Sequence, residues 1–162
     1  MTLVPRAREG YYDGTLEIAD IRVQDAPALA ELFSAISVVG LLEQLDGGGL
    51  PFNLVSAEFV LTPERVVVQN SRAVGASRGI TMDGEYNLST GLMDMQGVVS
   101  PIYVINGIGQ LVSRQGEGLI GISYQMRGDA DDPKVSANPL SILTPGFLRD
   151  IFRKPAKKID DD

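Results

Sequence analysis

The chain has 162 residues, a hydrophobic fraction of 44%, a charged fraction of 22% and a formal net charge of −7. It contains no cysteine, histidine or tryptophan. These absences exclude disulfides, thiolate or imidazole metal sites and histidine-dependent catalytic triads. The acidic balance argues against non-specific nucleic-acid binding, which needs a basic surface. The length suits one domain, or at most two small ones, with a substantial core.

The first predicted elements are a strand and an apolar helix. The strand covers Thr15–Val23, and its apolar positions change from even to odd numbers near Asp20, which indicates a bulge or bend there. The helix covers Asp25–Asp46, with Asp25 as its N-cap, Pro27 in its first turn and a run of glycines after its end. Because most of its surface is apolar, we expect other elements to cover it.

A run of short strands follows the helix. Apolar and polar residues alternate with a period of two, and turn residues separate the alternating segments at regular intervals. This pattern is typical of an antiparallel meander. The predicted strands are Phe52–Leu61, Arg65–Val74, Arg78–Tyr86 and Leu92–Val99.

The last third of the chain mixes helical and strand patterns. Pro101–Val112 has roughly helical spacing, although its glycines weaken the helix. Strands are predicted at Gly116–Gly128 and Lys134–Ala137, with a turn between them at Asp129–Pro133. Thr144–Phe152 is predicted to form a short amphipathic helix with a proline at its first position.

Together these elements define an α+β fold that is mainly β. The meander gives the sheet one apolar face, which is partly covered by an apolar helix near the N-terminus, a short middle helix and a short C-terminal amphipathic helix. No long linker divides the chain. We therefore expect residues 1–153 to form one domain and residues 154–162 to form a charged, disordered tail.

Two glycine motifs match functional patterns in their letters but not in their context. Gly75–Gly79 fits G-x-S-x-G, but the hydrolase elbow needs a following helix and a histidine partner. Gly116–Gly121 fits G-x-G-x-x-G, but its glycines open a predicted strand rather than the helix of a dinucleotide site. We interpret the first as a turn between strands and the second as a glycine-rich strand entry.

The acidic residues offer little for catalysis or metal binding. Asp129, Asp131 and Asp132 lack EF-hand spacing, and we interpret them as a solvated turn rather than a calcium site. Carboxylate pairs are expected by chance on exposed strands. Such pairs are Glu17 with Asp20 and Asp83 with Glu85. The chain is therefore predicted to be non-enzymatic, with no cofactor and no metal, and a carboxylate-based hydrolase is the least favoured alternative.

The predicted C-terminal helix has a concentrated apolar face with basic residues beside it. Such a helix suits contact with a membrane surface or with a partner protein. The alternative is a terminal helix packed on the sheet. The candidate contact residues are Phe147, Leu148, Ile151 and Phe152, followed by Arg153, Lys154, Lys157 and Lys158.

No segment has the pattern of a signal peptide or a membrane-spanning helix. Arg6 and Arg8 are not followed by an apolar stretch, so the N-terminus does not resemble a secretory signal. The uncharged run between Asp94 and Arg114 is interrupted by glycines, a proline and polar side chains. We interpret this run as a strand end followed by a short helix.

Several stretches between about Gly10 and Arg153 resemble a known family in their order and spacing. They include APALAELFSAISVVGLL in the first helix, GLMDMQGVVSP in the meander, GDADDPKV before the last strand and NPLSILTPGFLRDIF near the end. The chain resembles the C-terminal region of bacterial AsmA-like proteins, and within them the large YhdP-type and TamB-related members of alphaproteobacteria.

This resemblance implies a non-enzymatic envelope protein. Members are anchored in the inner membrane by an N-terminal helix and extend through the periplasm as a long, curved, groove-like sheet with an apolar interior. They are bridge-like carriers in lipid transport and outer membrane biogenesis, moving phospholipids between the two membranes. The C-terminal region is expected at the outer-membrane end. We expect this chain to lack the anchor and most of the bridge, with Met1 marking an internal start, a split gene or an excised fragment, and with the remainder of an AsmA-like chain as a partner.

The resemblance and the alternating strands together suggest a lipid groove. Side chains on the apolar face could contact phospholipid acyl chains, or they could form the core beneath the helices. The candidates are Val66, Val68, Ile80, Met82, Met93, Met95, Ile120, Ile122 and Met126.

The first functional hypothesis is therefore a terminal segment of a phospholipid-carrying bridge. The alternative is a protein-docking or capping module that binds an outer-membrane protein without carrying lipid, through strand addition or helix-in-groove contact.

Overall fold

The computed structural model of the protein describes residues 1–36, 48–76, 78–101 and 121–138. These residues form one helix, α1 (Pro27–Ala35), and eight strands. In chain order the strands are β1 (Thr2–Pro5), β2 (Tyr12–Val23), β3 (Leu50–Leu61), β4 (Arg65–Val74), β5 (Arg78–Asn87), β6 (Leu92–Pro101), β7 (Ile122–Asp129) and β8 (Pro133–Asn138).

The strands form a single antiparallel sheet in which each strand pairs with its neighbours in sequence. The predicted meander is therefore confirmed, and the protein is mainly β. Among the described residues β1 and β8 are the two edges, so the sheet is open.

Consecutive antiparallel strands place alternate connections at opposite ends of the sheet. The connections β1–β2, β3–β4, β5–β6 and β7–β8 are short turns that share one end, called here the turn end. Side-chain oxygens organise these turns: Thr62 Oγ1 accepts the backbone N–H of Arg65 at 3.0 Å, and Asn87 Oδ1 accepts that of Ser89 at 2.9 Å. The chain leaves for α1 from the opposite end of the sheet.

The predicted strands are largely confirmed, with ends that differ by a few residues. Strand β2 begins at Tyr12 rather than Thr15, and β3 begins at Leu50 rather than Phe52. Strand β1 was not predicted, because its four residues are too few to show alternation and end in Pro5. In the structure β1 is recognised by its pairing with β2. Periodicity within one segment carries no information about such pairing.

The start of α1 corrects the predicted cap. Asp25 is not the N-cap: it has a positive φ of 49° and lies one residue before Ala26, which is the N-cap and makes no side-chain capping bond. Ala26 is extended because the residue before a proline disfavours the α-helical region, so the helix begins at Pro27. Helix α1 ends at Ala35 with Ile36 as its C-cap, and residues 37–46 of the predicted helix lie outside the described residues.

The predicted irregularity near Asp20 is a local bend rather than a bulge. Asp20 has a positive φ of 52°, yet the β2–β3 register is the same on both sides of it. Ala19 faces Leu54 and Ile21 faces Phe52, so neither strand gains a residue.

A bulge that the sequence pattern did not predict lies in β4. Glu58 of β3 faces Asn70, whereas the next residue, Phe59, faces Val68. One residue, Gln69, is therefore extra in β4. The register with β5 shifts at the same place.

This bulge decides which residues of β4 share a face. In an unbroken strand, Val66 and Val68 would lie on the same side as Arg72. The extra residue changes the parity, so Val66 and Val68 lie with Ser71 and Ala73 instead. The cationic side chain of Arg72 belongs to the other face.

The pairing registers define an apolar face and a polar face of the sheet. The apolar face holds one large buried cluster, to which α1 contributes Leu32 and Phe33. Its strand residues include Val55, Phe59, Val68, Ile80, Met82, Tyr86, Met93, Met95, Val99, Tyr124, Met126 and Val135. The polar face includes Ser56, Glu58, Asn70, Arg72, Thr81, Asp83, Glu85, Asp94, Gln96, Gln125, Arg127 and Ser136, and is interrupted by the buried Val60, Val67 and Val98.

Several predictions fall outside the described residues. These are the middle helix after Pro101, the first residues of the strand Gly116–Gly128, the C-terminal helix Thr144–Phe152 and the tail of residues 154–162. The described part of that strand is β7, which begins at Ile122.

Candidate functional site

The predicted groove residues that the structure describes all lie on the apolar face. Directly paired residues of neighbouring strands share a face, so the registers connect them in rows across the sheet. One row runs Val68, Gly84, Met95, Met126 and Val135; another runs Val66, Tyr86 and Met93; a third runs Ile80, Val99 and Ile122; and a fourth runs Met82, Gly97 and Tyr124. Ile120 lies outside the described residues.

The depth of these side chains varies across the face. Ile80, Met95 and Met126 belong to the buried cluster, with exposed fractions of 7%, 5% and 2%. The other described candidates are only half-buried, and Val68, Met82 and Met93 pack against that cluster. Three candidates are therefore core residues. The other described candidates form the half-buried part of the apolar face, called here its margin: Val66, Val68, Met82, Met93 and Ile122.

Helix α1 covers one part of this face. It packs mainly against β8 and to a smaller extent against β7. Its Leu32 and Phe33 are fully buried in the cluster that contains Met126. Strands β4, β5 and β6 lie further from β8. Their half-buried apolar residues near the turn end are Val66, Val68, Tyr86 and Met93.

Two glycines let aromatic rings lie flat across strands. A side-chain carbon at Gly14 would overlap the ring of Phe59, its direct partner on β3. A side-chain carbon at Gly97 would overlap the backbone oxygen of Thr81 and lie 2.7 Å from the hydroxyl of Tyr124. The Tyr124 hydroxyl donates a hydrogen bond of 3.0 Å to that Thr81 oxygen. The aromatic rings thus supply apolar surface where glycine offers no side chain.

The polar face is held by cross-strand pairs of charged and amide side chains. Arg127 Nε lies 3.0 Å from Asp94 Oδ1, a pair in which both side chains are about half exposed. Gln96 Nε2 donates a 2.8 Å hydrogen bond to the buried Asp83. The sheet is therefore amphipathic, as the alternation predicts.

Further residues of the apolar face were not among the predicted groove candidates. Tyr86 faces Val66 and Met93, and Phe59 faces Val68. The alternation of apolar and polar residues within β3 and β5 predicts the side of its own strand that each of these two residues occupies. Only the strand registers show that both residues share a surface with the groove candidates.

The sequence motifs occupy ordinary structural positions where they are described. Gly75 and Ala76 follow β4, and Arg78 and Gly79 are the first residues of β5, so the motif lies between two strands, as interpreted, and the helix of a hydrolase elbow does not follow it. Asp129, Asp131 and Asp132 lie exposed at the β7–β8 turn, where Asp129 Oδ1 accepts the backbone N–H of Asp131 at 2.9 Å. Most of Gly116–Gly121, and all of Phe147, Leu148, Ile151 and Phe152, lie outside the described residues.

Within the described ranges, no helix is long and apolar enough to span a membrane. The same residues contain no group of three or more carboxylates arranged to hold a metal ion.

Comparison with known proteins identifies no relative: no family model matches the chain, and no curated protein or solved structure is significantly similar to it.

Proposed function

We propose that the chain is a non-enzymatic lipid-handling module of the bacterial envelope, the terminal segment of a bridge-like AsmA-type carrier that moves phospholipids between the inner and outer membranes. The observation that carries the proposal is the continuous apolar face. Its longest row runs from Val68 of β4 to Val135 of β8, while α1 packs mainly against β8. Acyl chains lie along the half-buried margin of this face, against Val66, Met82 and Met93.

The position of α1 supports a curved, groove-like sheet. In a flat sheet β8 would lie about 29 Å from β2, since neighbouring strands are about 4.8 Å apart. Helix α1 follows β2 after a linker of only three residues, yet it packs mainly against β8. The buried cluster also joins Phe52 of β3 and Met126 of β7 through Phe33 of α1. These contacts between distant strands favour a sheet that curls toward the helix, and such curling would turn its apolar face into a groove.

The energetics of an apolar groove suit a phospholipid tail. Each methylene removed from water contributes about 0.8 kcal/mol, so ten of them contribute about 8 kcal/mol before the costs of binding. The half-buried methionines at positions 82 and 93 give the margin of the face flexible, polarizable side chains. Such side chains adapt to acyl chains of different shape.

Native mass spectrometry of protein purified without detergent, followed by lipid extraction, tests the proposal. We expect a mass excess that matches one or a few phospholipids. A mass equal to that of the polypeptide, with no lipid in the extract, would contradict the proposal. The apolar face would then be packed internally, and a capping or docking module for an outer-membrane protein would replace the lipid carrier.

A pair of substitutions localises the bound lipid. Met93→Gln places an amide of similar length on the half-buried margin of the apolar face, and we expect it to reduce bound lipid at least threefold. Ser136→Gln introduces the same side chain at an exposed position on the polar face of β8, and we expect no loss. Equal lipid content in the two variants would show that the lipid lies elsewhere.

The cellular setting is proposed on the same basis. As part of an AsmA-like carrier, the chain works in the periplasm. Cell fractionation with an antibody to this chain checks the setting. Recovery with the envelope fraction is expected, and recovery with the cytosol would contradict it.

A further inference from the structure

A second concavity lies on the polar face, away from the proposed lipid groove. It is an open cavity of about 680 Å³ that lies over the neighbouring strands β2, β3 and β4. Its polar lining includes Thr15, Glu17, Ser56, Glu58, Asn70 and Arg72. Neither the motifs of the sequence nor the proposed transport function accounts for it.

The β4 bulge builds this cavity. Gln69 is the extra residue, and it lines the cavity together with Asn70 and Arg72. Without the bulge, the alternation would direct Asn70 and Arg72 to the apolar face. The same irregularity that completes the apolar face therefore delivers two polar side chains to the cavity.

The strand registers arrange the lining in two rows of mixed charge. In one row Thr15 faces Glu58, and Glu58 faces Asn70. In the next row Glu17 faces Ser56, and Ser56 faces Arg72. The two carboxylates thus lie on β2 and β3, and the guanidinium lies on β4.

The guanidinium is held in place by its neighbour on β3. Arg72 Nε donates a 3.2 Å hydrogen bond to Ser56 Oγ. This bond helps to orient the guanidinium of Arg72, a planar cation that suits contact with a phosphate or carboxylate. The carboxylates of Glu17 and Glu58 are exposed, and they suit an ammonium group.

We propose that this cavity binds a small zwitterion, with its phosphate on Arg72 and its ammonium group on Glu17 and Glu58. Both charges of the ligand find a partner of opposite sign, and the amide side chains of Gln69 and Asn70 supply further hydrogen bonds. Phosphoethanolamine has this chemistry, either as a free molecule or as the headgroup of a phospholipid. The site does not depend on acyl chains in the apolar groove, because it lies on the opposite face.

Titration of ¹⁵N-labelled full-length protein with O-phosphoethanolamine tests the proposal. We expect saturable shifts of the backbone amide signals of residues 15–17, 56–58 and 69–72. Inorganic phosphate alone and ethanolamine alone are expected to bind at least tenfold more weakly. Absence of saturable shifts, or equal affinity for phosphate alone, would overturn the proposal.

Matched variants separate the site from a general effect of charge. Glu17→Gln removes one exposed carboxylate of the cavity and is expected to weaken binding at least threefold, while Glu31→Gln removes an exposed carboxylate on α1 and is expected to change nothing. Arg72→Met is expected to weaken binding at least tenfold, with partial recovery in Arg72→Lys. Equal affinity of Glu17→Gln, Glu31→Gln and the unmodified protein would overturn the assignment.

Vesicles distinguish the source of the ligand. Flotation with vesicles containing phosphatidylethanolamine, but not with vesicles of phosphatidylglycerol alone, identifies the ligand as a lipid headgroup, provided that Glu17→Gln reduces it. Binding of free phosphoethanolamine without flotation identifies a soluble zwitterion. Flotation that is equal for both vesicle types and unaffected by Glu17→Gln would contradict a role of the cavity at membranes.

Discussion

At the scale of single residues, the packing of Tyr124 on Gly97 shows how closely the apolar face is fitted. Tyr124 is 3% exposed, and its ring crosses from β7 toward β5, where its hydroxyl reaches the backbone oxygen of Thr81. The path is open only because Gly97 of β6 has no side chain. A methyl group there would meet backbone, which cannot rotate away as a flexible side chain could.

Gly97→Ala is therefore expected to lower the free energy of unfolding by about 3 kcal/mol, as overpacking against backbone does. Tyr124→Phe keeps the ring but removes the buried hydrogen bond, and its expected cost is about 1 kcal/mol. Urea unfolding measures both, with Tyr12→Phe at an exposed position as the control. A cost for Gly97→Ala no larger than that of the control would contradict the packing described.

At the scale of elements, the bulge in β4 organises both faces of the sheet. It keeps Val66 and Val68 in register with the apolar residues of β5, and it turns Arg72 toward the cavity on the polar face. A single inserted residue therefore serves the proposed groove and the proposed zwitterion site at once.

Deletion of Gln69 is expected to be far more damaging than its replacement. Without the extra residue, half of β4 has to present its side chains to the wrong face, which places either valines or Arg72 in an unfavourable environment. We expect the deletion to lower the free energy of unfolding by about 3 kcal/mol or more, and Gln69→Ala by less than about 1 kcal/mol. Chemical denaturation compares the two variants, and equal costs would show that the bulge is dispensable.

At the scale of the whole molecule, the two edge strands of the sheet differ in how far other elements cover them. All residues of β1 are exposed, and the strand pairs only with β2. Strand β8 is also an edge, but α1 packs on it. Both edges begin or end with a proline, Pro5 in β1 and Pro133 in β8, and a proline removes one backbone donor from a strand edge.

Hydrogen exchange followed by NMR should resolve this difference. The cross-strand amides of β1 are expected to exchange at least tenfold faster than those of β8, because β1 can separate locally without uncovering buried side chains. The amides of β5, which has a paired strand on each side, provide the slow reference. Equal protection of β1 and β5 would mean that the sheet opens only as a unit.

Strands β2 to β8, most of their ends to within a few residues, and the amphipathic character of the sheet were predictable from the sequence. Alternation and turn chemistry are local properties, and they act on residues a few positions apart. The period of two in Ile80, Met82 and Tyr86 therefore predicts β5 and its apolar side without knowledge of any partner strand. The same reasoning placed the described groove candidates on one side of their own strands.

The remaining features depend on contacts between distant residues. The β4 bulge exists because both β3 and β5 pair with β4 in shifted registers, and β1 exists because β2 offers it an edge. The cap at Asp25 was wrong because Pro27 constrains Ala26 and thereby sets the start of α1. The cavity around Arg72 could not be predicted, since unbroken alternation along β4 would place the Arg72 side chain on the apolar face with Val66 and Val68. Periodicity thus determines which side of its own strand a residue occupies, whereas the registers between strands determine which residues meet.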